Sequence, residues 1–140
     1  MSIKNQIRRF IEIAVDRRAT SKDRFDLAVS TYPGLSDFTE VTRATIGYEV
    51  SSKVVDRLTQ YLSGIRTGSD AIGVMGSVAE EIAYIKDSIR SMTMIDAAIA
   101  AHNVFALQVV MLCLSSLVST GSPDRGEQDL IAAIDDMISG

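Results

Sequence analysis

The sequence predicts an all-α protein, a single-domain bundle of five to six helices with a hydrophobic central helix at about residues 94–119. Its 140 residues are 46% hydrophobic and 23% charged, which is typical of one globular domain large enough to bury a core. Only nine glycines and two prolines are present, too few turn residues for many short strands. Apolar residues recur at steps of three and four along most of the chain, which is the spacing of helices. No repeat or long linker divides residues 1–140, so we expect one domain.

The first thirty residues predict two helices. Residues 2–16 form an amphipathic pattern whose apolar members are Ile3, Ile7, Phe10, Ile11 and Ala14. Thr20 and Asp23 have the three-residue spacing of a capping box, which predicts the start of a second, short helix. Pro33 and Gly34 would end that helix.

Residues 38–65 predict one long helix, because apolar or small residues follow one another at steps of three and four. These residues are Val41, Ala44, Tyr48, Ser51, Val55, Leu58, Leu62 and Ile65. Gly47 and its β-branched neighbours would allow a bend. A further helix carries a similar stripe from Met75 to Met92, and either Ser69 or Ser77 could cap its start.

The last two helices have clear signals at their ends. Thr93 and Asp96 repeat the capping spacing before the central helix, and Gly121 followed by Pro123 predicts its end. Pro123 also fits the first turn of a final helix. That helix would place its apolar residues on one stripe, namely Leu130, Ile131, Ile134, Met137 and Ile138.

The central helix carries no charge between Asp96 and Asp124. Its uncharged stretch is long enough to cross a hydrocarbon layer of about 30 Å. Polar side chains within it and the lack of basic or aromatic anchors at its ends argue against a membrane span. We therefore expect a bundle's central helix, with three polar residues buried and hydrogen-bonded inside it: His102, Asn103 and Gln108.

The first half of the central helix is rich in alanine, which would let another helix approach closely. We expect this face to meet a helix of the same chain or of a second copy, and a homo-oligomer is the favoured arrangement. The candidate interface residues are Ala97, Ala98, Ala101, Phe105 and Ala106.

The two ends of the chain carry opposite charge although the net charge is only −4. Residues 1–24 hold seven basic and three acidic side chains, whereas residues 126–140 hold four acidic side chains and no basic one. The basic N-terminal amphipathic segment could attract the acidic C-terminal helix of a neighbouring subunit, giving a head-to-tail ring or filament. The same charges could equally pair within one subunit.

The sequence contains no motif for catalysis, cofactor binding or metal binding. Its single histidine leaves no acid–base pair of histidines, its single cysteine leaves no intramolecular disulfide, and its glycines do not fit a phosphate-binding loop. Cys113, flanked by apolar residues, should be buried and inert, and Glu80 and Glu81 should be solvated. We therefore expect no enzyme and no cofactor. The lack of disulfides and of an export signal favours a cytoplasmic protein.

These observations favour a non-enzymatic structural or assembly protein that acts through helix–helix self-association. A viral or phage structural component is one setting for that role. A ligand carrier or enzyme built around His102, Asn103 and Gln108 is a weaker hypothesis, because no carboxylate or second metal ligand lies one helical turn from His102.

A DNA-binding regulator is the alternative. The stretch EVTRATIGYEVSSKVVDRLTQYLSGIRTGS resembles the helix-turn-helix domain of phage-type repressors, with Val50-Ser51 as the turn and residues 62–69 as the stretch before the next helix. It departs from that pattern in two ways. Gly47 lies one place off the expected turn position, and the stretch from Ser51 to Leu62 is about three residues longer than in the usual domain. The resemblance implies that residues 41–66 bind DNA, with Ser51 and Ser52 facing it.

A basic patch at the N-terminus is a second route to nucleic acid, through phosphate contacts that read no sequence. Together with the helix-turn-helix resemblance, it gives seven candidate contacts: Arg8, Arg9, Arg17, Arg18, Lys53, Arg57 and Arg66. The chain is acidic outside its N-terminal segment, which disfavours a polyanionic partner.

Overall fold

Five helices make up the described part of the chain, as a computed structural model shows, so the prediction of an all-α bundle is confirmed. The structure describes residues 2–31, 38–119 and 123–139. The helices are α1 (Ile3–Thr31), α2 (Phe38–Leu62), α3 (Gly68–Ser88), α4 (Met94–Val118) and α5 (Pro123–Ser139). A 3₁₀ turn (Ile89–Ser91) joins α3 to α4.

Helix α1 is a single helix, so the prediction that a second helix begins at Thr20 is wrong. The Thr20 hydroxyl donates a hydrogen bond to the carbonyl of Asp16 at 3.2 Å, inside the helix, and does not cap a new one. The buried stripe of Phe10 and Ala14 continues through Ser21 and Ala28. Continuous packing of that stripe therefore outweighs a local capping pattern. The predicted stop at residues 33–34 lies outside the described residues.

Helix α2 is also continuous, with no break near Gly47, which is buried within it. Helix α3 begins earlier than either predicted cap. Thr67 is its N-cap: the Thr67 side chain accepts from the Asp70 backbone N–H, and the Asp70 carboxylate accepts from the Thr67 N–H. This is a complete capping box, and the predicted starts at Ser69 and Ser77 are wrong.

Helix α4 begins as predicted, because the Thr93 side chain accepts from the backbone N–H of Asp96. It ends at Val118, with Ser119 as its C-cap. The predicted stop at Gly121 lies outside the described residues. Helix α5 begins at Pro123, as predicted.

The core lies between α1, α2, α4 and α5. Its largest fully buried side chains come from all four of these helices: Phe10, Leu58, Leu62, Leu107, Leu114, Leu130 and Ile134. Helix α1 packs mainly on α2, and α5 packs against α1, α2 and α4. Arg9 pairs with Glu127, and Arg17 pairs with Asp135. The second pair lies eight residues further along both helices, so α1 and α5 run parallel.

Helix α3 is the outer helix of the bundle. It packs mainly against α4, to which the short turn connects it, and only Ala71 and Val78 of its residues are buried. Ile72 and Tyr84 are exposed on its surface. The α3–α4 pair therefore lies against the other helices through α4, and this leaves much of α3 and part of α4 uncovered.

Three glycines inside helices should respond in opposite ways to replacement by alanine. A Cβ at Gly73 or Gly76 of α3 would meet nothing within 4 Å. A Cβ at Gly126 of α5 would overlap the Ser116 side chain and lie 3.4 Å from Phe10 Cζ. Gly73→Ala and Gly76→Ala should each raise the free energy of unfolding by about 0.5–1 kcal/mol, because alanine loses less backbone entropy in a helix.

Gly126→Ala should lower the free energy of unfolding, because crowding of about 1–3 kcal/mol outweighs the gain in helix propensity. Urea denaturation followed by circular dichroism measures all three variants. The double variant Gly126→Ala/Ser116→Gly should recover part of the loss. Equal gains at all three glycines would contradict the close contact between α4 and α5.

Candidate association surface

One face of α4 is open to solvent and uncharged. It consists of seven residues that alternate at steps of four and three, and we call it the α4 seam: Met94, Ala98, Ala101, Phe105, Gln108, Leu112 and Ser115. Phe105 and Leu112 are half-buried and the other five are exposed. This is the spacing at which one helix packs along another in a coiled coil.

The face of α4 opposite the seam packs into the bundle, whereas Ile95 and Ile99 near the start of the helix are exposed. Leu107, Val110 and Leu114 are fully buried. Helix α4 is long and apolar enough to cross a membrane by length and composition, and 44% of its most apolar window is buried in the bundle. A helix that is apolar on all sides is normally covered on all sides. The open seam of α4 departs from that rule.

The predicted interface residues divide between the two faces of α4. Ala98 and Ala101 are exposed, and Ala97 and Phe105 are half-buried. Ala106 is fully buried, so its assignment to an interface is wrong. It neighbours the buried Leu107 in sequence and lies on the side of the helix that packs into the core. The seam continues instead through Gln108, which the alanine pattern did not indicate.

The three residues of α4 that were predicted to be polar and buried do not form one buried cluster. Gln108 is exposed, contrary to the prediction, and Asn103 and His102 are half-buried. The Nδ1 atom of His102 is buried and has no hydrogen-bond partner among the described residues. No group of three metal-ligating side chains occurs in the described part of the chain. Cys113 is buried as predicted, and burial raises the pKa of its thiol.

The opposite charges at the two ends of the chain meet within one subunit. Arg9 Nε lies 2.6 Å from a carboxylate oxygen of Glu127, and this contact raises the pKa of Arg9. Arg17 Nε lies 3.5 Å from Asp135. These two pairs join α1 to α5, so the basic segment and the acidic helix already neutralise one another in part. This leaves less charge for a head-to-tail contact.

The stretch that resembles a helix-turn-helix has no turn at the predicted position. Val50 and Ser51 lie in the middle of the unbroken α2. Ser51 is 1% exposed, and its hydroxyl donates to the Tyr48 carbonyl, so it is not placed to face DNA. Of the seven candidate nucleic-acid contacts, Arg9 and Arg17 pair with α5. Arg57 pairs with α3. Arg8 and Arg66 are exposed, and Arg18 and Lys53 are half-buried.

A polar cluster between α2 and α3 was missed in the sequence. Tyr61 donates a hydrogen bond to the Glu81 carboxylate, and Arg57 lies 3.3 Å from its other oxygen. Burial, followed by the bond to Glu81, raises the pKa of Tyr61. The prediction that Glu81 is solvated is wrong, since it is half-buried, whereas Glu80 is exposed. No local pattern could have paired residues twenty positions apart.

This cluster should stabilise the outer helix. Glu81→Ala removes the acceptor that ties Tyr61 and Arg57 to α3, and should lower the free energy of unfolding by about 1.5–3 kcal/mol, the usual range for hydrogen bonds to a charged group. Glu80→Ala, at the adjacent exposed position, is the matched control and should change it by less than about 0.5 kcal/mol. Urea denaturation gives both values. Equal effects would show that Glu81 does not hold α3 to α2.

No protein-family model, curated protein sequence or solved structure matches this chain. What the protein does must therefore be inferred from its own surfaces, above all from the open face of α4.

Proposed function

We propose that this protein is a non-enzymatic assembly protein that self-associates through the α4 seam. The observation that carries the proposal is that α4 bears no charge from Ala97 to its end, yet one full face of it is uncovered in the monomer. Leaving that apolar surface in water is unfavourable, and a second helix can cover it without burying any charge.

The order of side chains along the seam favours an antiparallel pairing with a second copy. A two-fold axis near Phe105 sets Ala98 opposite Leu112, and Ala101 opposite Gln108. Each small residue then faces a large one, as close packing of two helices requires. A parallel pairing would instead set alanine opposite alanine and leave gaps. Gln108 keeps its amide at the edge of the contact, where it can stay hydrated.

A second copy is a better partner for the seam than a lipid bilayer. The face of α4 opposite the seam holds Leu107, Val110 and Leu114 in the core. Insertion of α4 into a membrane would remove these side chains from the bundle and expose the faces of α1, α2 and α5 that now cover them. Pairing of two seams leaves the bundle intact.

A charge in the middle of the seam should abolish self-association through α4. Ala101→Glu would place a carboxylate opposite the neutral amide of Gln108 with no cation to balance it, and burying an unpaired charge is strongly unfavourable. Sedimentation velocity should show that the wild type is an oligomer and that Ala101→Glu is a folded protein with a smaller sedimenting species. The matched control is Ala83→Glu, which changes an exposed alanine on the outer face of α3, five positions from the buried Val78.

Two results would overturn the proposal: a monomeric wild type at high concentration and low salt, or equal effects of Ala101→Glu and Ala83→Glu. Flotation of the purified protein with lipid vesicles would assign the seam to a membrane instead.

The antiparallel orientation has its own test. The variants Ala101→Cys and Gln108→Cys each add one exposed cysteine, while Cys113 is buried and unreactive. In an antiparallel pair, residue 101 of one copy lies opposite residue 108 of the other. Mild oxidation of an equal mixture should therefore yield mainly the mixed disulfide dimer on a non-reducing gel. A parallel pair would instead cross-link each variant to itself.

A further inference from the structure

A second open surface lies along the first half of α1. It is a shallow groove of about 700 Å³ with an apolar lining of Ile7, Ile11, Val15 and Ala19. We call it the α1 groove. Ile7 is buried and Ile11 half-buried, whereas Val15 is 39% exposed. The groove is therefore apolar and partly open to solvent.

Four charged side chains also line this groove at steps of four, and we call them the charged row: Lys4, Arg8, Glu12 and Asp16. Two bases are followed by two acids. Within one helix, two of the three steps along the row, Lys4–Arg8 and Glu12–Asp16, set like charges four residues apart, which repel each other. An order that served the helix itself would alternate the two signs. The order therefore calls for a partner outside the helix.

Most of the charged row has no ionic partner in the subunit. Among the described residues, no ion pair involves Lys4, Arg8 or Asp16. The Arg8 guanidinium donates instead to the side-chain oxygen of Asn5 at 3.1 Å. Glu12 has a long, exposed contact of 3.4 Å with Arg9, which lies closer to Glu127. The row is thus available to a second molecule.

The charged row is complementary to itself. A two-fold axis reverses the direction of the helix, so a row of two bases and two acids meets a row of two acids and two bases. Lys4 then faces Asp16 of the second copy, and Arg8 faces its Glu12. A parallel arrangement would set every charge against its like. We infer that the α1 groove is a second self-association surface, in which the α1 helices of two copies pack antiparallel.

This surface is distinct from the α4 seam and does not depend on it. Helix α1 packs mainly on α2, while α3 and α4 pack together elsewhere in the bundle. A subunit with two different two-fold interfaces holds two neighbours at once. Such a subunit forms a chain or a closed ring of alternating contacts, whereas one interface alone stops at a dimer.

The test uses charge reversal in the Ala101→Glu background, where the α4 seam is blocked. The all-basic variant Glu12→Lys/Asp16→Lys and the all-acidic variant Lys4→Glu/Arg8→Glu should each be monomeric by sedimentation velocity, because like rows repel. An equal mixture of the two should recover a dimer. The fourfold reversal, which carries all these changes, should also recover it, because two acids followed by two bases are again self-complementary. Circular dichroism checks that every variant is folded.

The matched control is Asp87→Lys/Asp136→Lys, which changes the net charge as much as the all-basic variant at two exposed positions outside the row. It should leave the dimer unchanged. A dimer that survives in the all-basic and all-acidic variants, or a mixture that stays monomeric, would overturn the inference. Failure of the α4 proposal is a separate result, since Ala101→Glu would then leave the wild-type assembly intact before any change in α1.

Discussion

The lack of charge along α4 is the constraint that organises this protein. A helix of 25 residues with no charged side chain after its first turn cannot lie at the surface on several sides. The bundle meets this constraint by packing α3, α2 and α5 against α4, and Leu107 and Leu114 are fully buried. The α4 seam is the face that stays open where the other four helices surround this apolar helix incompletely.

The ion pairs between α1 and α5 act mainly to align these two helices. Arg9 and Arg17 lie eight residues apart on α1, and their partners Glu127 and Asp135 are spaced equally on α5. Shifting α5 along α1 would break both pairs at once. Exposed ion pairs stabilise a fold only slightly, so these contacts contribute more to register than to stability. The same two pairs occupy Arg9 and Arg17, which are candidate nucleic-acid contacts, and this weakens the hypothesis that the N-terminal segment binds nucleic acid.

The sequence predicted those features of the fold that depend on neighbouring residues. The all-α class, the long α2 and the Thr93 cap of α4 all follow from apolar spacing or from a side chain three positions from its backbone partner. Thr20 shows the limit of such patterns, because a capping box forms only where the chain leaves the helix, and buried Ser21 keeps the chain helical there. Tertiary packing decided between two locally acceptable structures.

The candidate surface was harder to predict than the fold. Alanine content indicated the first half of α4, and three of the five residues it suggested, Ala98, Ala101 and Phe105, lie on the open face. It did not separate them from the buried Ala106, because spacing alone does not show which side of a uniformly apolar helix its neighbours cover. For that reason Ala106, expected at an interface, is buried, and Gln108, expected to be buried, is exposed. Glu81 was assigned to solvent because its partners, Arg57 and Tyr61, are distant in sequence. Both errors concern contacts between helices, which a pattern along one helix does not contain.

The two proposed interfaces would respond differently to salt, so that ionic strength could weaken one of them without weakening the other. Pairing of α4 seams buries uncharged surface, which salt does not screen. Pairing of α1 helices depends on exposed charges. Added salt shortens the Debye length, which is about 8 Å at physiological ionic strength, and the attraction falls as this length approaches the distance between the charges. Rising salt therefore removes the second contact before the first. An assembly built in this way shortens to α4-linked dimers as ionic strength rises and extends again as it falls, with no change in the fold of the subunit.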